Sequence, residues 1–144
     1  MSKLQAFFSE NAKKPVNVTR VISKRFVDSD GNPIEWEFGA ITPEMDAEIK
    51  KDSTRRTLIT QGKRKGQYNT EFDPAKYQLK LTVASVVYPD LKDADLQNSY
   101  GVFNEEDLIN KMLLPAELQD ASMAAQEANG FEISLEDMVE EAKN

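Results

Sequence analysis

The sequence predicts an α+β fold, with an N-terminal β-hairpin packed against a mostly helical C-terminal half. Three observations predict it. Ile34, Trp36, Phe38 and Ala40 alternate with Glu35 and Glu37, the period of a half-buried strand. Thr42-Pro43 and Asp73-Pro74 each set a capping side chain ahead of a proline suited to a first helical turn. From residue 90 onward, helix-length segments follow one another with only short connections. The 144 residues read as a single domain, 1–144. A chain of this length buries roughly 68–70% of its unfolded surface, enough for a core without covalent staples.

Leu4, Phe7 and Phe8 have i, i+3, i+4 spacing, so residues 1–11 hold a short amphipathic helix that Ser2 can cap. Such a helix is below the roughly 12–15 residues that stand alone in water, so it must dock. Docking on its own domain is the plainer expectation. The alternative is that Phe7 and Phe8 form a partner or self-assembly contact.

Residues 16–41 read as the hairpin. Val16, Val18, Ile22 and Phe26 share a parity, and Asp28 to Pro33 supply turn chemistry, with Gly31 available for a positive φ. A helix follows over 43–52, with Met45 and Ile49 facing inward. Residues 53–72 form a flexible basic region around Gly62-Lys63-Arg64-Lys65-Gly66. Its flanks, Thr57–Thr60 and Gln67–Thr70, either pair as a second, exposed hairpin or remain a long mobile loop.

The helical half spans 74–144. Tyr77, Leu81, Ala84 and Tyr88 predict a central core helix over 74–88, stopped by Pro89. Asp93 caps a short helix closed by Gly101. Asn104 with Asp107 resembles a capping box for 105–114. Pro115 opens a helix ending near Gly130, and Ser134 starts a last one over 135–143.

The chain has no cysteine and no histidine. Disulfides, thiol nucleophiles, thiolate metal sites and imidazole relays are therefore excluded. Paired carboxylates abound, but most fall in first helical turns, where the helix dipole accounts for them. Neighbours on a helix also point apart, away from a shared cleft. Asp28-Ser29-Asp30-Gly31 misses the register of a calcium loop. Neither nucleotide-binding glycine motif occurs. No catalytic residue, cofactor or metal ligand is expected, and the chain is not expected to be an enzyme.

The net charge is −7, unevenly spread: residues 50–80 carry nine bases and three acids, and residues 90–144 carry three bases and fourteen acids. The overall field disfavours nucleic acid. The 55–68 region, with Arg55, Arg56, Lys63, Arg64, Lys65 and Tyr68, is the one candidate for a nucleic-acid-binding accessory role. Glu105, Glu106 and Asp107 are the candidate partner-binding acids, with Phe7 and Phe8 the next candidates. No uncharged stretch is longer than that from Leu81 to Pro89, far short of the roughly 18 residues of a membrane span. The start lacks the apolar segment of a secretory signal.

Several stretches together resemble the XkdN-like phage (prophage) tail assembly chaperone family. They are MSKLQAFFSENAKKP, RFVDSDGNPIEWEFGAIT, VASVVYPDLKDADLQNSYGV, MLLPAE and NGFEISLEDMVEEAKN. The resemblance implies a cytoplasmic protein, absent from the mature virion. It would bind the tape measure protein, and possibly the tail tube protein, and keep the tape measure soluble during tube assembly. Self-association is a further candidate. The family implies no catalytic residues. It also suggests a longer, frameshifted form, since Ala142-Lys143-Asn144 permit a slippery A-AAA-AAC heptamer.

Overall fold

A computed structural model describes residues 2–131. The α+β expectation holds, with strands gathered toward the N-terminal side and helices toward the C-terminal side. The helix expected over 135–143, and the frameshift site after it, lie outside the described residues.

The hairpin forms around two short strands, β1 (Val18–Arg20) and β2 (Trp36–Phe38), paired antiparallel with Thr19 opposite Glu37. At its far end the Ile34 amide donates to the Phe26 carbonyl, and the Asp28 carboxylate accepts from the amides of Asp30 and Asn32. Gly31 takes φ +83° there, as the turn requires. The helix after it is α1 (Pro43–Asp52), whose Met45 amide donates to the Thr42 hydroxyl.

Of the two forms open to the 53–72 region, the structure shows a ladder. Strand β3 (Thr54–Leu58) pairs antiparallel with β4 (Tyr68–Phe72), from Thr54 opposite Phe72 to Leu58 opposite Tyr68. Every residue of both strands is exposed, so this second hairpin is an arm rather than a core element.

Two expectations need correction. The helix expected over 74–88 ends early: α2 covers Pro74–Ser85, and Val86–Tyr88 form strand β5 against the open edge of β2, completing a sheet in the order β1-β2-β5. The reason is local and tertiary together. Val86-Val87-Tyr88 is β-branched and aromatic, Tyr88 precedes a proline and so leans extended, and β2 has unpaired groups to satisfy. The N-terminal amphipathic helix is reduced to a 3₁₀ turn, Gln5–Phe7, and its apolar side chains do not dock: Leu4 is 70% and Phe7 81% exposed, and Phe8 is exposed too. One turn supplies too few hydrogen bonds and too little apolar area to hold itself down.

The remaining helices follow their caps. They are α3 (Ala94–Ser99) behind Asp93, α4 (Glu105–Met112) behind Asn104, and α5 (Pro115–Ala128). Helix α5 packs on β1, β2 and α2 through Ala121, Ala124, Ala125 and Ala128, small residues at helical spacing that let backbones approach closely. Helix α2 also touches α1 and α4. Its buried Thr82 and Ser85 hydroxyls donate to carbonyls one turn back, so both are buried without an unpaired group. Trp36 and Phe38 stack at 6.5 Å on the inner side of the sheet, among Ile22, Leu91, Leu108, Ile109 and Met112.

Asn129, just past α5, joins three elements. Its amide nitrogen donates to the Ser85 hydroxyl (2.9 Å) and the Ala125 carbonyl (2.7 Å), and its oxygen accepts from the Ile41 amide (2.8 Å).

Candidate functional site: an acid-rimmed groove beside a basic arm

Helices α1, α2 and α4 converge beside the exit of β5 and leave a groove of about 350 Å³. Met45 and Ile49 of α1, Val83 and Ala84 of α2, and Val86 and Leu91 after it form the apolar floor. Asp52, Asp90, Glu105 and Glu106 stand around it with Lys80 and Lys92. Each side chain arrives by a simple rule. Met45 and Ile49 are four residues apart on one face of α1, and the acids of α4 occupy its first turn, where the helix dipole favours them.

The three acids of that turn have different jobs. Glu105 faces the groove and has no ion-pair partner among the described residues. Glu106 also lines the groove but is held by the Lys80 ammonium at 2.9 Å. Asp107 does not line it: its amide donates to the Asn104 side-chain oxygen (2.8 Å) and its carboxylate accepts from the Asn104 amide group (2.9 Å). Phe7 and Phe8 are likewise absent from the groove lining. Sequence reasoning picked out Met45 and Ile49 as inward-facing residues. The structure leaves Met45 44% exposed, as groove wall rather than core. It missed Phe103, 90% exposed immediately before the α4 cap. A large apolar residue beside a capping Asn and three acids was the available signal.

Two carboxylates outside the groove are perturbed, both downward. The hydrogen bond from the Tyr77 hydroxyl, and then Lys50, hold Asp46 below its ordinary value. Burial and the Asp46 charge push the tyrosine up to about 12. Glu117 is held at about 2, chiefly by the Arg25 guanidinium at 2.6 Å, then by the Leu114 amide and Ser23. Arg25 also donates to the Met112 carbonyl, so the pair clamps the α4–α5 junction onto the first hairpin. Carboxyls held this low are weaker bases than free ones and stay ionised at neutral pH, so neither holds a proton to donate, whereas general acid–base catalysis favours a pKa near the working pH. They do structural work.

The arm carries five bases and one acid over residues 54–72. The Arg56 guanidinium lies over the Tyr68 ring at 4.3 Å, so one stacking face of that tyrosine is already occupied. Phe72 meets Tyr77 at 5.7 Å and ties the arm's root to α2. Among the described residues no helix is long and apolar enough to cross a membrane.

The profile of the Phage XkdN-like tail assembly chaperone protein family matches residues 4–143. The chain is 34% identical over 124 residues to Phage-like element PBSX protein XkdN of Bacillus subtilis (strain 168), covering 85% of this chain and 81% of that one. It is also 34% identical over 124 residues to YqbN of the same strain, covering 85% and 80%. The crystal structure of YqbN superposes with a TM-score of 0.74 at 26% identity, covering 92% of this chain and 99% of that one. A family match over nearly the full length and a relative 34% identical across most of both chains lead to one assignment: the chain belongs to the XkdN-like phage tail assembly chaperone family.

Proposed function

We propose that this chaperone binds the tape measure protein of its phage or prophage in the cytoplasm of the bacterial host, keeps it soluble until the tube assembles around it, and leaves before the virion matures. The observation that carries the reading is the groove between α1, α2 and α4. A long helical client exposes apolar stripes before assembly, and an amphipathic helix laid into an apolar groove is a common way to cover them. The floor of Met45, Ile49, Val83 and Val86 suits such a stripe. Methionine adapts to unlike partners, as a chaperone surface requires. The rim acids favour a client helix with basic residues flanking its stripe, and charge at a rim speeds encounter more than it tightens the complex.

The test is co-expression with the tape measure protein and affinity capture. Met45→Asp, at a half-exposed position, should cut recovery of soluble client by about tenfold or more, as expected for a charge placed in a desolvated apolar contact. Phe7→Asp, outside the groove, should leave recovery unchanged. Equal recovery with Met45→Asp would remove the groove as the client site. Loss with Phe7→Asp alone would move that site to the N-terminal turn.

A further inference from the structure

We propose that the β3–β4 hairpin is a docking arm for a second copy of this chain, its basic tip resting on the acidic rim that Asp90 and Glu105 form beside α4. This goes beyond the client reading and does not rest on it. The arm is the least self-sufficient part of the fold. A lone two-stranded ladder is marginal in water, yet five residue pairs form here with no buried side chain on either strand. Period-2 geometry puts Leu58, Tyr68 and Phe72 on one side of it with Arg56, and all three apolar side chains are about half exposed. That face keeps apolar area to bury: Phe72 meets Tyr77 of α2 at the root, while Leu58 and Tyr68, nearer the tip, are each about half exposed.

Charge decides the occupant. Lys63, Arg64 and Lys65 crown the tip, and no base of the arm is in an ion pair among the described residues. The complementary surface is present on the same polypeptide. Residues 90–131 carry nine acids against two bases, and Glu105 stands at the groove rim without an ionic partner among the described residues. Two copies related by a two-fold axis satisfy both contacts at once, each arm on the other's rim, which is the closed arrangement homodimers favour. A nucleic acid would meet the same tip, but it would also meet the acidic half of the chain and a tyrosine already covered by Arg56.

Sedimentation equilibrium on the purified chain, at low salt and again at high salt, tests this. The expected result is a dimer whose dissociation constant rises by about tenfold or more with salt, since screening weakens exposed charge pairs. The triple variant Lys63→Glu, Arg64→Glu, Lys65→Glu should be monomeric at both. Its substitutions lie in an exposed loop, and an unchanged far-ultraviolet circular dichroism spectrum shows that the fold is kept. The double variant Asp90→Lys, Glu105→Lys should also be monomeric, and mixing the two variants should restore the dimer, because each then offers the sign the other lacks. A parent chain that stays monomeric at low salt overturns the proposal. So does a dimer that survives the triple variant, or mixed variants that fail to associate. Nuclease-sensitive nucleic acid that co-purifies with the parent and is lost from the triple variant would assign the arm to nucleic acid instead.

Discussion

Replacing Trp36 with alanine tests the packing between hairpin and helices most directly. Trp36 is 1% exposed, stacked on Phe38, and set against α3 and α4 through Leu96 and Met112. Aromatic side chains bury about 150–250 Å² each, which at about 25 cal/mol per Å² corresponds to roughly 4–6 kcal/mol, an upper bound because denatured chains are partly compact. Truncation leaves alanine's share in place, and losing the stacking on Phe38 adds about 0.5–1.5 kcal/mol. A hollow of about 140 Å³ already borders the indole. The space vacated by the ring would merge with it, and its walls come from the first hairpin, Tyr88-Pro89, α3 and α4, which would all have to move to close it. The cost should therefore be about 4 kcal/mol, within the roughly 3–5 kcal/mol usual for such a truncation. That is a large share of the roughly 5–15 kcal/mol that stabilises an ordinary domain. Urea unfolding followed by far-ultraviolet circular dichroism measures it, since the variant loses the only tryptophan. The midpoint should fall with little change in slope. A loss below about 1 kcal/mol, the ordinary cost of an unremarkable substitution, would refute the packing argument. So would parent fluorescence typical of fully hydrated indole in the folded state.

Asn129→Ala removes two donors and one acceptor from the junction of α5, α2 and the segment after β2, and should cost about 2–3 kcal/mol, because the Ile41 amide loses its acceptor and the Ser85 oxygen loses a donor while keeping its own bond to the Leu81 carbonyl. Hydrogen exchange at Ile41 should rise with it, and unchanged protection there would contradict the role. Glu117→Gln keeps the acceptor for the Leu114 amide but removes the charge facing Arg25. A carboxylate whose folded value lies below its unfolded one stabilises above the unfolded value, 4.5, and loses that contribution as pH falls toward about 2. The drop corresponds to about 3 kcal/mol at neutral pH, which screening of the half-exposed Arg25 brings nearer 1–2 kcal/mol. The variant should thus be less stable at pH 7 and show a flatter acid limb between those values. A limb as steep as the parent's would assign the acid sensitivity to other carboxylates.

Features that depend on near neighbours along the chain were legible in the sequence. Thr42, Asp73, Asp93 and Asn104 each cap the helix they precede, because a cap needs only a side-chain oxygen and an amide two or three residues away. The alternation from Ile34 to Ala40 was legible for the same reason, and it marked Trp36 and Phe38 as buried. Tertiary structure decided what local rules leave degenerate. Val86–Tyr88 continue a helical stripe and also read as a strand, and the open edge of β2 settles the choice. Leu4, Phe7 and Phe8 have the spacing of a docking helix, but spacing does not show whether a surface exists to receive them. The groove belongs to neither half of the chain's text. Met45, Val83 and Glu105 lie about 20 to 60 residues apart in sequence and meet only because α2 packs against both α1 and α4. Periodicity tells which side of a helix is apolar, while the distance between two such sides is set by the small residues that let helices close, here the alanines of α5 against α2.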